Sequence, residues 1–305
     1  MENNKNQIIM SANQEPFELN FYKWEKELKD KPYLRQPIGE AWEEYTWGQV
    51  GDMARRLASG LKSLNLREGA HIGIYSKNCR EWIISDLAIV MAGYVSVPFF
   101  PSLNGKELAY IMDYGDVDAL FLGKIETWDD IKNDLPKDMP MITFPNYAGC
   151  SNVDIGHKWH EFIDKHEPIT NPHNPKLSDL WTIIFTSGTT GNPKGVMLTY
   201  QAIDGIKVVL DDPDNPLGIK HDGNNEFISY LPLNHIFERV VIEWTSFRYG
   251  GTISFVESIE KFGQNLKDVQ PHVFAAAPRV WTKLQMGILS KFPQKRLDFL
   301  LKIPV

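Results

Sequence analysis

From residue 45 onward, capped helical stretches alternate with short apolar strands, and this alternation leaves few folds open to the chain. Thr46 with Gln49 reads as a capping box, after which Met53, Leu57, Leu61 and Leu64 recur at helical spacing up to Gly69. His71–Tyr75 reads as a strand. Asn78 with Glu81 is expected to cap a second helix that runs through Met91 and closes at Gly93, and Val95–Phe99 is apolar and β-branched enough for a buried strand. Asn104 with Glu107 opens a third helix that buries Leu108, Ile111 and Met112 and ends at Gly115, and residues 119–122 give the next strand. Such alternation predicts parallel strands joined by crossover helices, hence an α/β fold of doubly wound, mostly parallel sheets with flanking helices.

The rhythm breaks over residues 145–178, where Asn, His, Pro and Lys dominate 168–176 and read as an exposed connection between two halves of the sheet system. It resumes at Leu180 with a strand, followed by a helix carrying Ile203, Ile206 and Leu210, and by strands over 226–231, 252–256 and 273–276. A chain of 305 residues exceeds the usual single-domain range of about 100–200, which suits either one large α/β unit or two subdomains. The expected division is an N-terminal extension over 1–40, a first α/β subdomain over 41–175 and a second over 176–305.

The segment 182–195 carries the clearest chemistry. A short apolar run feeds into Thr186, Ser187, Gly188, Thr189, Thr190, Gly191 and Lys194, the composition of a phosphate cradle. Glycines let backbone N–H groups approach an anion, hydroxyls donate to its oxygens, and the lysine adds a point charge. The spacing is not that of a P-loop NTPase, because four residues after Gly188 comes Pro193 and a glycine follows the lysine. The bland alternative is a surface loop rich in Gly, Ser, Thr and Pro.

The same residues, from Phe185 to Gly195, resemble the signature of the adenylate-forming superfamily of acyl-CoA synthetases, amino-acid adenylation domains and beetle luciferases. That resemblance implies that Thr186, Ser187, Gly188, Thr189, Thr190, Gly191 and Lys194 bind the triphosphate of ATP, with Thr190 on Mg²⁺ and Lys194 also catalytic. A second block over 230–241 contains Pro-Leu-Asn-His-Ile-Phe-Glu-Arg and is similar to a segment of the long-chain acyl-CoA synthetase branch. By that likeness His235 is catalytic and substrate-binding, and Phe237 substrate-binding, beside the adenylate and the mouth of an acyl tunnel. Without it, His235 could equally cap a helix or stack in the core. Glu238 and Arg239 read as a solvated or paired helix face.

A third block over 274–284 resembles another segment of the same branch and makes Arg279 and Trp281 candidates for lining a site, although packing of a buried strand explains its small residues equally well. Residues 45–103 also resemble the family, and the run 92–101 within them reads as structural core. Tyr200 departs from the pattern, since the family often has histidine there. Family members continue into a Tyr-Gly-x-Thr-Glu block, a ribose-binding aspartate, a hinge and a small C-terminal domain with a catalytic lysine. None of these motifs occurs in the 305 residues, so the sequence reads as the leading portion of a synthetase with the C-terminal small domain absent, inactive by itself.

Composition excludes other classes. A net charge of -7 with interspersed signs, and no basic stripe, argues against nucleic acid as partner. Cys79 and Cys150 stand far apart without metal spacing, which excludes a disulfide framework and points to a reducing cytoplasm. Residues 1–20 are polar, without the apolar core of a secretory signal, and the most apolar window, 87–100, falls short of the roughly 20 residues that span a bilayer. A cytoplasmic location, with peripheral membrane contact allowed, follows.

The expectation is therefore a long-chain fatty acid CoA ligase. By resemblance it would use ATP and Mg²⁺ to convert a fatty acid to its acyl adenylate, releasing pyrophosphate, and then pass the acyl group to CoA. An amino-acid adenylation domain is the first rival, but it would place an acidic residue ahead of the helix, and residues 231–237 contain no carboxylate. A noncatalytic nucleotide- or acyl-binding module is the second.

Overall fold

The computed structural model describes residues 19–186, 193–212, 217–300 and 302. Helix α1 (Leu19–Glu27) leads into a hairpin of β1 (Pro32–Ile38) and β2 (Ala41–Thr46), whose turn holds Gly39 at φ +62°. Helix α1 and strand β1 thus lie within the stretch 1–40 read as an extension, and nothing local in these residues announces the strand that β1 pairs with. Helix α2 (Trp47–Ser63) then starts on the expected box: the Thr46 hydroxyl accepts from the Gln49 N–H at 3.2 Å, and Gln49 Oε1 accepts from the Thr46 N–H at 2.8 Å. After β3 (His71–Tyr75) comes α3 (Arg80–Met91), which has no side-chain cap; Cys79 occupies the cap position. The expected cap by Asn78 is thus corrected, since its amide is used across the molecule instead.

The chain continues through β4 (Val95–Phe99), α4 (Gly105–Tyr114), capped by Asn104 and Glu107, and β5 (Val117–Leu122). Two short strands, β6 (Met141–Thr143) and β7 (His157–Lys158), precede β8 (Leu180–Thr186). The helix expected directly after the phosphate segment is displaced by β9 (Lys194–Thr199), which returns antiparallel along β8 and pairs with it from Thr186↔Lys194 back to Leu180↔Thr199. Short helical turns follow at Tyr200–Asp204, which buries Ile203, and at Lys207–Leu210. The last strands are β10 (Glu226–Ser229) and β11 (Thr252–Phe255). Of the strand expected over 273–276, pairing among the described residues is confined to Val273 beside Phe227.

Two sheets result. One has the order β7-β6-β5-β3-β4-β8-β9 and is parallel except for β9; the other has the order β10-β11-β1-β2, with β2 its antiparallel edge. Each sheet draws strands from both sides of residue 175. Alternation along β5 shows how the first sheet is buried on both faces: Ala119 and Phe121 join the core shared with the second sheet, and Leu120 and Leu122 join a second cluster with Val97, Phe99, Leu108 and Met112. α2 and α3 pack on each other and touch strands of both sheets, which is why every residue of α3 is buried. Residues 274–305 form a separate compact unit with helices Pro278–Lys291 and Gln294–Leu300, the first opening on proline. Among the described residues no helix is long and apolar enough to cross a membrane.

Between β10 and β11 the chain runs through a helical turn Ile236–Glu238, a π-helical turn Arg239–Trp244 and a last turn Thr245–Tyr249. Arg239 is fully buried. Its Nη2 donates to Asp86 of α3 at 2.5 Å and its Nε to Glu243 at 2.9 Å, while the guanidinium lies 3.9 Å from the ring centre of Trp181 in β8 and 5.2 Å from that of Trp82 in α3. Burial first, and then the neighbouring Asp86, push the Glu243 carboxyl well above the usual carboxylate range. Glu238 and Arg239 therefore form no solvated face; both are buried, Arg239 in an ion pair with Asp86 and Glu238 hydrogen-bonded by Ser229 and Tyr230.

Arg239→Met keeps much of the volume between the indoles but leaves Asp86 without its cation. We expect a loss of about 3–5 kcal/mol in urea unfolding, the usual result of breaking a buried pair from one side. A loss under about 1 kcal/mol, the value of a surface pair, would show that this network does not behave as buried.

Candidate active site

The hairpin of β8 and β9 is anchored low and open high. Thr182, in the interior of β8, donates its hydroxyl to the Ser96 carbonyl at 2.8 Å and is buried, whereas Thr186 closes the strand exposed to solvent. Opposite it stands Lys194, also exposed, at the first residue of β9. A residue bearing a hydroxyl and one bearing an ammonium thus stand opposite each other in register at the open end of the hairpin, a pair suited to an anion. Ser187, Gly188, Thr189, Thr190 and Gly191 lie outside the described residues. Only Thr186 and Lys194 of the expected phosphate ligands can be placed, and they are adjacent.

The second set of expected residues lies past the carboxyl end of β10. A turn closed by the His235 N–H donating to the Pro232 carbonyl at 2.9 Å leads into the helical turn that begins at Ile236. His235 caps that turn itself: its Nδ1 accepts from the Phe237 N–H at 3.2 Å, which places the proton of a neutral ring on Nε2. Phe237 is 43% exposed, a large apolar ring left open beside the histidine. The capping alternative for His235 is realised, and it leaves the outer nitrogen as a donor.

Below them Glu238 is buried. Its Oε1 accepts from the Ser229 hydroxyl and from the Tyr230 N–H, each at 2.9 Å. Burial outweighs these donors and pushes the carboxyl up to about 8. The first sheet reaches the same turn through Asn78, two residues after the loop leaves β3's end at Ser76: Nδ2 donates to Ser229 Oγ at 2.8 Å and to the Leu231 carbonyl at 2.6 Å, and Oδ1 accepts from the Leu233 N–H at 2.9 Å. Nearby, Lys124 beyond β5 is buried and donates to the Glu257 carbonyl beyond β11 at 3.2 Å. Burial lowers its pKa. The carboxyl ends of the two sheets are therefore stitched together, and ligands of doubly wound sheets bind at such ends.

Asn78, Lys124 and the buried state of Glu238 were not legible as site features in the sequence. The available signal was position alone, since Asn78 and Lys124 each follow a predicted parallel strand by a few residues. Arg279 and Trp281 lie in the separate unit of residues 274–305, where the Trp281 indole donates to the Ala276 carbonyl at 3.1 Å and meets Phe274 edge-on. Tyr200 is buried, in contact with Trp181. Among the described residues no cluster of three or more His, Cys, Asp or Glu could hold a metal ion.

A family model described as AMP-binding enzyme matches residues 21–303. Similar proteins include long chain acyl-CoA synthetase 5 of Arabidopsis thaliana, 31% identical over 266 residues that make up 81% of this chain and 38% of that protein. Fatty acyl-CoA synthetase A of Dictyostelium discoideum is 31% identical over 254 residues, 79% of this chain and 37% of its own length. The chain thus spans well under half the length of these relatives. Among solved structures, the anthranilate CoA ligase AuaEII in complex with anthranoyl-AMP superposes with a TM-score of 0.72 at 18% identity, over 84% of this chain and 48% of that one. ATP-bound MatB from Rhodopseudomonas palustris gives 0.64 at 19% identity, over 83% and 48%. At those identities the likeness establishes the α/β fold of mixed, mostly parallel sheets with flanking helices.

The raised carboxyl of Glu238 gives a pH dependence of known sign. The folded state keeps a proton that the unfolded chain releases from about pH 4.5, so stability falls as pH rises from there to about 8 and is then flat. Urea midpoints across that window should decline more steeply for the natural chain than for Glu238→Gln. Parallel declines would show that Glu238 is ionised in the folded state.

Proposed function

Because the chain belongs to the AMP-binding enzyme family, we propose that the complete protein carrying it is a long-chain fatty acid CoA ligase. The observation that carries this reading is the exposed pair of Thr186 and Lys194 at the mouth of the β8–β9 hairpin, on the sheet whose β3 loop also holds the His235 turn. In the first step a carboxylate oxygen of the fatty acid attacks the α-phosphorus of ATP. A P–O bond to pyrophosphate breaks, and the acyl adenylate forms. In the second the CoA sulfur attacks the acyl carbonyl, the thiol proton is lost, and AMP leaves.

Lys194 and Thr186 fit the triphosphate, because an ammonium and a hydroxyl held on paired strands offer charge-assisted donors without reorganisation. Ser187, Gly188, Thr189, Thr190 and Gly191 complete the cradle in this proposal, and Thr190 takes Mg²⁺, which supplies further positive charge against the phosphates. His235, with its proton on Nε2, donates to the adenylate, and the open ring of Phe237 offers apolar surface to the acyl chain. Burying such a chain yields about 0.8 kcal/mol per methylene, which favours long acids over acetate. Two free cysteines agree with a cytoplasmic site of action.

Pyrophosphate release by the complete protein is expected to be strongest with a long-chain fatty acid such as palmitate and weak with acetate or amino acids. Strongest release with an amino acid would overturn the assignment. Thr190→Ala should remove a hydrogen bond to a charged group worth about 1.5–3 kcal/mol and so slow adenylation by about one to two orders of magnitude, with the Tm almost unchanged. Full activity in this variant, or activity lost only through unfolding, would return the segment to a plain surface loop.

A further inference from the structure

We propose that Asn78 is a positioning residue that fixes, from the first sheet, the turn that presents His235 and Phe237. The proposal rests on the reading of those two side chains as substrate contacts. The Asn78 amide uses both donors and its acceptor oxygen on one short stretch of the facing chain: the Nδ2 hydrogens go to Ser229 Oγ and the Leu231 carbonyl, and Oδ1 takes the Leu233 N–H. No other side chain of this size carries two donors and an acceptor in that arrangement. An aspartate would lose both donors, and a leucine all three bonds.

The contact does not stop at the turn. Ser229 Oγ accepts from Asn78 and donates to Glu238 Oε1, and the Tyr230 N–H donates to the same oxygen. Glu238 follows His235 by one helical turn, so the stretch from Leu231 to Phe237 is held by Asn78 at one end and by Glu238 at the other. Asn78 is a firm anchor, since its neighbour Lys77 donates its N–H to the Lys124 carbonyl at 3.1 Å, and the Lys124 ammonium is itself tied to Glu257. The sheets are joined independently of Asn78 through Lys124 and through Arg239 with Asp86. Loss of the Asn78 amide donors should therefore loosen the turn rather than the assembly of sheets.

The experiment compares the natural chain with Asn78→Asp by histidine-ring ¹⁵N NMR and by amide hydrogen exchange, with the His235 signal identified by its loss in His235→Gln. Asn78→Asp keeps size and Oδ1 but removes both donors. The expected result is a shift of the His235 ring signal away from the Nε2–H form and exchange over residues 231–237 faster by about tenfold or more, with β3 and β4 amides unaffected. A folded variant with an unmoved His235 signal, or loosening spread evenly over both sheets, would overturn the proposal. Should Asn78→Asp fail to fold, Asn78→Ala tests the same link by removing all three bonds without adding a charge; an unmoved His235 signal there overturns it as well. A sulfamoyl analogue of a long-chain acyl adenylate, added to the complete protein that carries this chain, separates the two readings. Absence of a His235 response to it defeats the substrate-contact reading and leaves the result for Asn78 standing.

Discussion

The buried guanidinium of Arg239 is the interaction around which the two sheets are organised. It sits where α3 and β8 of the first sheet meet the helical crossover of the second, and it touches all three. A cation in that place is tolerable because Asp86 and Glu243 take its Nη2 and Nε hydrogens and two indoles lie beside it. The π-helical turn that starts at Arg239 belongs to the same arrangement, since such turns mark places where a helix gives up regularity to aim particular side chains.

One residue before that anchor, Glu238 turns the other way, towards the carboxyl end of β10. The adjacent pair thus splits its tasks: Arg239 binds the crossover to the first sheet, and Glu238 ties its beginning to Ser229 and Tyr230. His235 and Phe237, on the turn above, remain exposed because the residues beneath them absorb the packing. The same division holds in β8, where Thr182 is spent on Ser96 so that Thr186 can stay open. At both places a buried polar contact supports an exposed candidate ligand, an arrangement that preorganises a site.

Much of the first half of the fold was legible because its signals are local. Capping boxes at Thr46 and Asn104 need only residues three apart, and the apolar runs of β3 and β4 need only their own composition. Thr186 and Lys194 were legible for the same reason, as members of one short motif. Asn78 misled for an instructive reason: an asparagine three residues before a glutamate has the chemistry of a cap, but a stronger set of partners lay 150 residues further along the chain. β9 was hidden because a return strand and a helix start look alike after a glycine-rich turn.

By itself, then, the sequence determined the α/β class, the positions of its capped helices and early strands, and the family. These follow from periodicity, capping and motif order within a few residues. Only the tertiary structure decided that β1 pairs with β11, that Glu238 and Arg239 are buried, that Glu243 is pushed towards its protonated form, and that Asn78 reaches across to the His235 turn. Each of these depends on which group stands opposite and how much water is left between them. A sequence names the donors, acceptors and charges, but distance and burial decide which of them meet, because both the strength of a hydrogen bond and the cost of a charge are set by the surroundings.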